Sequence, residues 1–147
     1  MMPDGENNLI RLRARAALDE VLSWNKRPWQ KEALSLSREL PVNLRRLGLS
    51  VQWATLLNQG QQHHKKLLVF FSNWLLQEMP GQPLKPYVTQ IKNGEEGLTV
   101  LKAIIQAKRP DYLVVQREAI AMASQVKLLA DALYSNPEEP KQEKDHG

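Results

Sequence analysis

The sequence predicts an all-α protein, a single-domain helical bundle of about six or seven helices over residues 1–134. Apolar residues recur at steps of three and four along the 147-residue chain, and no long segment alternates as a strand does. A chain of about 150 residues buries roughly two thirds of its unfolded surface, so one core needs neither disulfides nor a structural metal. Together these observations favour one domain of packed helices.

The first third of the chain contains two or three predicted helices. An apolar stripe at helical spacing predicts a helix over 8–24, and the basic turn 25–28 ends it. A second helix follows and runs to Leu40. Pro41 either kinks this helix or opens a short third one over 42–47.

Two further helices are predicted in the middle of the chain. Gly48 is a predicted C-terminal cap or bend, after which the apolar face of 49–60 predicts a helix. The next helix covers 61–79, and the Pro-Gly-Gln-Pro loop at 80–83 stops it.

The last third is predicted to hold two helices and a tail. Residues 87–92 fit either a short helix or an extended piece, and the turn at Asn93-Gly94 precedes a helix over 97–108. In that helix one apolar face is predicted from Leu98, Leu101, Ile104 and Ile105.

Asp111 is well placed to cap the final helix. The apolar positions of the final helix are Tyr112, Val115, Ala119, Met122, Val126, Leu129 and Leu133. Residues 135–147 carry two prolines, six charges and no large apolar side chain, which predicts a disordered tail.

Composition narrows the possible functions. The chain has no Cys, which removes thiolate metal sites, thiol catalysis and disulfide frameworks. No export signal or stretch of about 18 apolar residues is present, so we expect a soluble, cytoplasmic protein without a membrane partner. The formal net charge is +4, and residues 1–66 alone carry 11 basic and 6 acidic side chains. Such a bias suits a polyanionic partner but is also common in proteins without one.

No catalytic constellation can be assembled from the sequence, so we expect neither an enzyme nor a cofactor. His63 and His64 are adjacent, and on a helix their side chains point about 100° apart rather than gripping one ion. Their simpler interpretation is the solvated first turn of a helix. No glycine-rich phosphate-binding loop occurs either.

Clusters of basic residues are the remaining signal. Arginine and lysine side chains contact phosphates without reading bases, although composition alone slightly favours a merely solvated surface. Trp53 and Trp74 lie on apolar helical faces and are predicted core residues. For Trp24 and Trp29, which flank the basic turn, both core and base-stacking roles stay open. The candidate RNA-binding residues are Arg11, Arg13, Arg15, Arg45, Arg46, Lys65, Lys66 and Lys127.

An ordered set of helix-packing positions runs through most of the chain. These positions are Arg13, Ala14, Ala17, Val21, Leu40, Pro41, Leu44, Gly48, Leu49, Ala54, Leu56, Leu57, Gly60, Ser72, Trp74, Leu75, Tyr112, Glu118, Ala119, Lys127, Ala130, Ala132 and Leu133. In order and spacing the set resembles the small helical subunit of the type III-B CRISPR effector, the Cmr RNA-targeting complex. The chain departs from the family pattern at Leu47, where Asn is usual, and at Gln125, where Trp is frequent.

The resemblance implies a non-catalytic subunit that acts in antiviral defence. Such a subunit stacks beside neighbouring copies of itself and other effector subunits and lines the groove that holds guide and target RNA through backbone contacts. Arg13 and Lys127 match family positions, whereas the other candidates rest on local charge alone. The alternative function is a helical protein–protein interaction module without nucleic-acid binding.

Overall fold

The computed structural model describes the backbone of residues 2–135 and the side chains of residues 8–135. This part of the chain contains no strand, which confirms the predicted all-α fold. Its six α-helices are α1 (Met2–Leu22), α2 (Gln30–Leu47), α3 (Leu49–Gln59), α4 (Gln62–Asn73), α5 (Glu96–Gln106) and α6 (Arg109–Tyr134). The predicted tail, apart from Ser135, lies outside the described residues.

The long helix α6 organises the bundle because it packs between α1 and α2. Arg13 meets Glu118 near the start of α6 and Val21 meets Tyr134 at its end, so α1 and α6 run parallel. Arg38 meets Asp131, whereas Arg45 meets Ser124, so α2 runs antiparallel to α6. Helices α3, α4 and α5 pack against one another behind this layer. The core lies between the layers, and its fully buried α6 members are Val115, Ala119, Met122, Val126 and Ala130.

Helix α2 settles the alternative at Pro41, because it continues through that residue to Leu47. The separate helix over 42–47 is therefore absent. Residues Leu40 and Leu44 are buried on either side of Pro41, and this packing holds the helix together where proline removes one backbone hydrogen bond. Gly48 ends the helix with φ 88°, and its N–H donates to the Leu44 carbonyl, as the predicted cap requires.

The segment that follows α4 differs from a regular helix. Residues Trp74–Glu78 form a π-turn, in which the Met79 N–H donates to the Trp74 carbonyl at 2.9 Å. The predicted helix over 61–79 is thus an α-helix with a widened last turn. The ambiguous segment before α5 is a 3₁₀ turn, Lys85–Tyr87, followed by extended backbone at Val88.

One prediction about the last helices is half right and another is wrong. In α5, Ile104 is buried and Leu101 partly buried as predicted, but Leu98 is exposed and Ile105 is 67% exposed, while Val100 and Ala103 are buried. This helix is apolar on more than one side, and its contacts with α3 and α4 rather than its pattern select the buried face. Asp111 does not cap α6, because the helix begins two residues earlier and the Asp111 carboxylate accepts a 2.6 Å hydrogen bond from the Tyr87 hydroxyl.

Helix α1 also begins earlier than predicted, at Met2 rather than near residue 8. Among the described helices, none is long and apolar enough to cross a membrane.

Candidate nucleic-acid interface

Arg13 is the most constrained of the candidate RNA-binding residues. Its Nε and Nη2 atoms donate to the two carboxylate oxygens of Glu118 at 2.8 and 2.7 Å. The Trp74 indole donates to the same carboxylate at 2.9 Å. The side chains of Arg13 and Glu118 are only 16% and 7% exposed, and the hydrogen bond to Glu118 raises the pKa of Arg13. Arg13 therefore joins α1 to α6 and to the turn after α4 rather than facing a ligand.

Lys66 takes part in a second arrangement of the same kind. Its Nζ lies 3.1 Å from Glu20 Oε1, and the Trp24 indole donates to Glu20 Oε2 at 3.0 Å. In both arrangements one buried carboxylate accepts hydrogen bonds from a tryptophan and a cation. Trp24 and Trp29 are buried like Trp53 and Trp74, so all four tryptophans belong to the core and base stacking on Trp24 or Trp29 is excluded.

A different set of basic residues follows one side of α2. Lys31, Arg38 and Arg45 are exposed and stand seven residues apart. Seven residues return a helix to within about 20° of the same direction, so the three side chains form a stripe with steps of about 10.5 Å. Arg38 Nε donates to Asp131 Oδ1 at 2.8 Å, and Arg45 Nη2 reaches the Ser124 hydroxyl at 3.5 Å. The stripe therefore lies along the seam between α2 and α6.

Helix α1 places two further arginines on the same side of the bundle. The side of α1 that carries Glu20 faces α4, because Glu20 binds Lys66 there. Val21, the next residue, is buried in the core. Arg11 and Arg15 are exposed, stand four residues apart and lie beyond Val21 on the side opposite Glu20. They consequently flank the exposed side of α6 from one edge while the α2 stripe flanks it from the other.

We call this surface the outer face. Contacts place three basic side chains on it: Arg38, Arg45 and Lys127. Helical spacing adds four exposed ones: Lys31 on α2, Arg11 and Arg15 on α1, and Arg117, seven residues before Ser124, on α6. Asp131 lies on it and pairs with both Arg38 and Lys127, the latter at 3.6 Å, and the exposed Asp19 stands beside Arg15 at its α1 edge. The cations outnumber these two carboxylates, so the face carries a positive potential that attracts polyanions.

The eight candidates thus divide by position. Arg11, Arg15, Arg45 and Lys127 meet on the outer face. Arg46 points to another side of α2, where its Nη2 contacts Asn43 Oδ1 at 3.1 Å, and Lys65 is exposed on α4. Lys31, Arg38 and Arg117 are not among the eight candidates. The seven-residue spacing of Arg38 from Lys31 and Arg45 is a signal that the sequence does carry.

The prediction that His63 and His64 form a solvated turn is wrong, because both are buried at the start of α4. The Gln61 N–H donates to His64 Nδ1 at 3.2 Å, which closes a capping box. Burial lowers the pKa of both imidazoles, whose ring centroids are 4.1 Å apart. In the part of the chain that the structure describes, no three His, Cys, Asp or Glu side chains are grouped to hold a metal ion.

Comparison with known proteins identifies the family. Residues 9–133 match the family model described as CRISPR-associated protein (Cas_Cmr5). The chain belongs to this family. The fold agrees with the crystal structure of a CRISPR-associated Cmr5 family protein from Thermus thermophilus, with a TM-score of 0.67 and 24% identity. That match covers 84% of this chain and 94% of the other, while a search of curated proteins found no match.

Membership of the Cmr5 family gives this chain the role of a small CRISPR-associated Cmr subunit. The outer face is chemically suited to contacts with phosphate oxygens, since guanidinium and ammonium groups donate to them without distinguishing bases.

Proposed function

We propose that this Cmr5 family chain lines the guide and target RNA groove of a type III-B effector complex through its outer face. The observation that carries the proposal is the meeting of Arg38, Arg45 and Lys127 along the seam between α2 and α6. Helical spacing adds the four other exposed cations of the outer face to this group. Each can neutralise one phosphate of a neighbouring strand, so the RNA backbone rather than its sequence is bound.

The contacts of Arg13 and Lys66 give these two residues a supporting role in this proposal. Arg13 is held by Glu118, and Lys66 by Glu20. They fix the positions of α1 and α4, while RNA contacts fall to the exposed cations of the outer face. Arg46 and Lys65 remain exposed and contact other stretches of RNA or other subunits.

The remaining parts of the proposal concern assembly. The subunit is non-catalytic, works in the cytoplasm in antiviral defence and stacks with neighbouring copies of itself and with other effector subunits. Contacts between stacked copies are individually weak and gain strength when one RNA aligns several copies.

A salt titration of RNA binding tests the proposed contacts. We expect K31Q/R38Q/R45Q to bind single-stranded RNA more weakly than the wild type. The slope of log K against log salt should fall by roughly 2, since each lost phosphate contact accounts for about 0.7. The matched control is K85Q/K92Q/K102Q, which removes three exposed cations on α5 and in the segment before it. An unchanged slope in K31Q/R38Q/R45Q, or equal losses in both variants, would contradict the proposal.

One observation favours the alternative of a protein-interaction module. Large apolar side chains are exposed on or beside the outer face: Leu18, Leu22, Val42 and Leu128. Leu128 is 64% exposed, and a group of exposed apolar side chains is typical of a protein interaction site. If V42S/L128S abolishes assembly while K31Q/R38Q/R45Q retains both assembly and RNA, the face binds protein instead.

A further inference from the structure

A groove on another side of α2 has no place in the proposed RNA role. It runs between α2 and α3, ends at the start of α4 and has a volume of about 460 Å³. Its polar walls include Glu32 and Glu39 of α2, Gln52 and Gln59 of α3, and His63 and His64 of α4. Lys31 lies at its rim, where the groove approaches the outer face.

Three polar side chains in this groove are almost fully buried. Gln52, His63 and His64 are 3%, 9% and 7% exposed. Among the described residues, hydrogen bonds engage only one of their side-chain atoms, the His64 Nδ1 that accepts from Gln61. Among the described residues Ser72 Oγ is the one buried polar side-chain atom without a partner, so the remaining polar atoms of Gln52, His63 and His64 are reached from the groove that these residues line. They are therefore available to a ligand there.

The charge of the groove determines which ligand it suits. Glu32 and Glu39 stand seven residues apart on one helix, about 10.5 Å, and both are exposed. The α3 wall adds the neutral residues Gln52, Thr55 and Gln59, and Lys31 supplies the single fixed positive charge of the lining. Burial lowers the pKa of His63 and His64, which keeps both imidazoles neutral near pH 7. The groove therefore attracts cations and repels phosphates.

We propose that this groove binds an extended basic segment of a partner protein, whose arginine or lysine side chains pair with Glu32 and Glu39. The residues of α2 that line it run from Lys31 to Leu47. This stretch is about 24 Å long at 1.5 Å per residue, which is the length of roughly seven residues of extended chain. The buried amide and imidazole groups then hydrogen-bond the backbone of the segment. The inference goes beyond the proposed RNA role and does not depend on it.

Binding of a defined peptide to the intact chain tests this inference. The probe is fluorescein-labelled Gly-Arg-Gly-Gly-Gly-Arg-Gly, whose arginines point to one side of the extended chain about 13 Å apart, a spacing that flexible arginine and glutamate side chains can bridge. We expect saturable binding by fluorescence anisotropy and perturbed NMR resonances of the His63 and His64 side chains. E32Q/E39Q should weaken binding roughly five- to tenfold, since two partly exposed ion pairs are lost.

Matched controls separate this site from general charge effects. E78Q/E95Q removes two exposed carboxylates outside the groove and should bind the peptide like the wild type. The same peptide with citrulline in place of arginine should bind weakly. Equal affinity for the citrulline peptide, or equal losses in E32Q/E39Q and E78Q/E95Q, would overturn the inference.

The sign of the pH dependence provides a second test. Lowering the pH from 7.5 to 5.5 adds protons to the imidazoles, while the two carboxylates stay largely ionised. The affinity for the arginine peptide should therefore fall, and H63Q/H64Q should abolish this dependence. Affinity that rises on acidification, or displacement of the peptide by heptauridylate, would show an anion site and contradict the inference.

Discussion

At the scale of single residues, two buried carboxylates bind Arg13 and Lys66 and so remove these two cations from the set that can contact RNA. Glu118 and Glu20 each accept hydrogen bonds from one tryptophan and one cation. Arg13 is predicted as an RNA contact because it is basic and matches a family position. Its actual partner lies 105 residues away in the sequence, and such a pairing is not readable from local charge. Lys66 is also predicted as an RNA contact from local charge, whereas its partner Glu20 lies 46 residues away in the sequence.

Replacing Arg13 should destabilise the fold rather than affect RNA directly. R13A leaves the buried Glu118 carboxylate without its cation, which should lower the free energy of unfolding by about 2–4 kcal/mol. Urea denaturation measures this change. R11A is the control, since Arg11 is exposed on the same helix and its loss should change stability by about 0.5 kcal/mol or less. Equal stability of R13A and R11A would contradict the assignment of Arg13 to the interior.

The buried histidines make stability depend on pH. Burial lowers the folded-state pKa of His63 and His64 below the ordinary value near 6.5, so the unfolded chain binds more protons as the pH falls. Their contribution to stability is complete above pH 6.5 and decreases as the pH falls from 6.5 towards their folded-state pKa values. Urea denaturation between pH 7.5 and 5 should show this loss, and H63Q/H64Q should show a smaller one. Identical pH profiles would contradict the burial of these imidazoles.

At the scale of elements, the sequence predicts where helices form better than it predicts which side of each helix is buried. The apolar positions predicted for α6 largely coincide with its buried side, because the core covers this helix along most of its length. In α5 the exposed Leu98 and Ile105 belong to the predicted face. A short helix with apolar residues on several sides can be buried in more than one orientation, and contacts distant in sequence choose among them. The continuity of α2 through Pro41 has the same origin.

Gly48, between α2 and α3, has a backbone conformation that few residue types can adopt. Its φ of 88° and ψ of 159° fall in a region that essentially only glycine adopts. G48N should therefore cost about 1–3 kcal/mol of unfolding free energy. Gly60 has φ 60° and ψ 15°, where asparagine is tolerated, so G60N is the control and should cost clearly less. Thermal or urea denaturation compares the two, and a G60N loss as large as that of G48N would refute this interpretation of the boundary.

At the scale of the whole molecule, the bundle separates two surfaces of different charge. The outer face gathers basic residues from α1, α2 and α6, while the groove between α2 and α3 presents Glu32 and Glu39. Sequence clusters such as Arg45 and Arg46 or Lys65 and Lys66 do not predict this division. Neighbours in sequence point to different sides of a helix, whereas residues three, four or seven apart share one. The seven-residue spacing of Lys31, Arg38 and Arg45 can be recognised in the sequence. The position of this stripe beside α6 is known only from the structure.

Photo-crosslinking in the assembled effector complex tests the central claim most directly. A photoreactive phenylalanine analogue replaces either Val42, which lies within the α2 stripe, or Val69, which is exposed on α4 in the rear layer. Both positions are about half exposed and apolar, so each substitution leaves the fold and the charge unchanged. The proposed role of the outer face predicts strong crosslinks from position 42 to guide or target RNA and weak ones from position 69. Crosslinks from position 69 alone, or RNA absent from both, would contradict it.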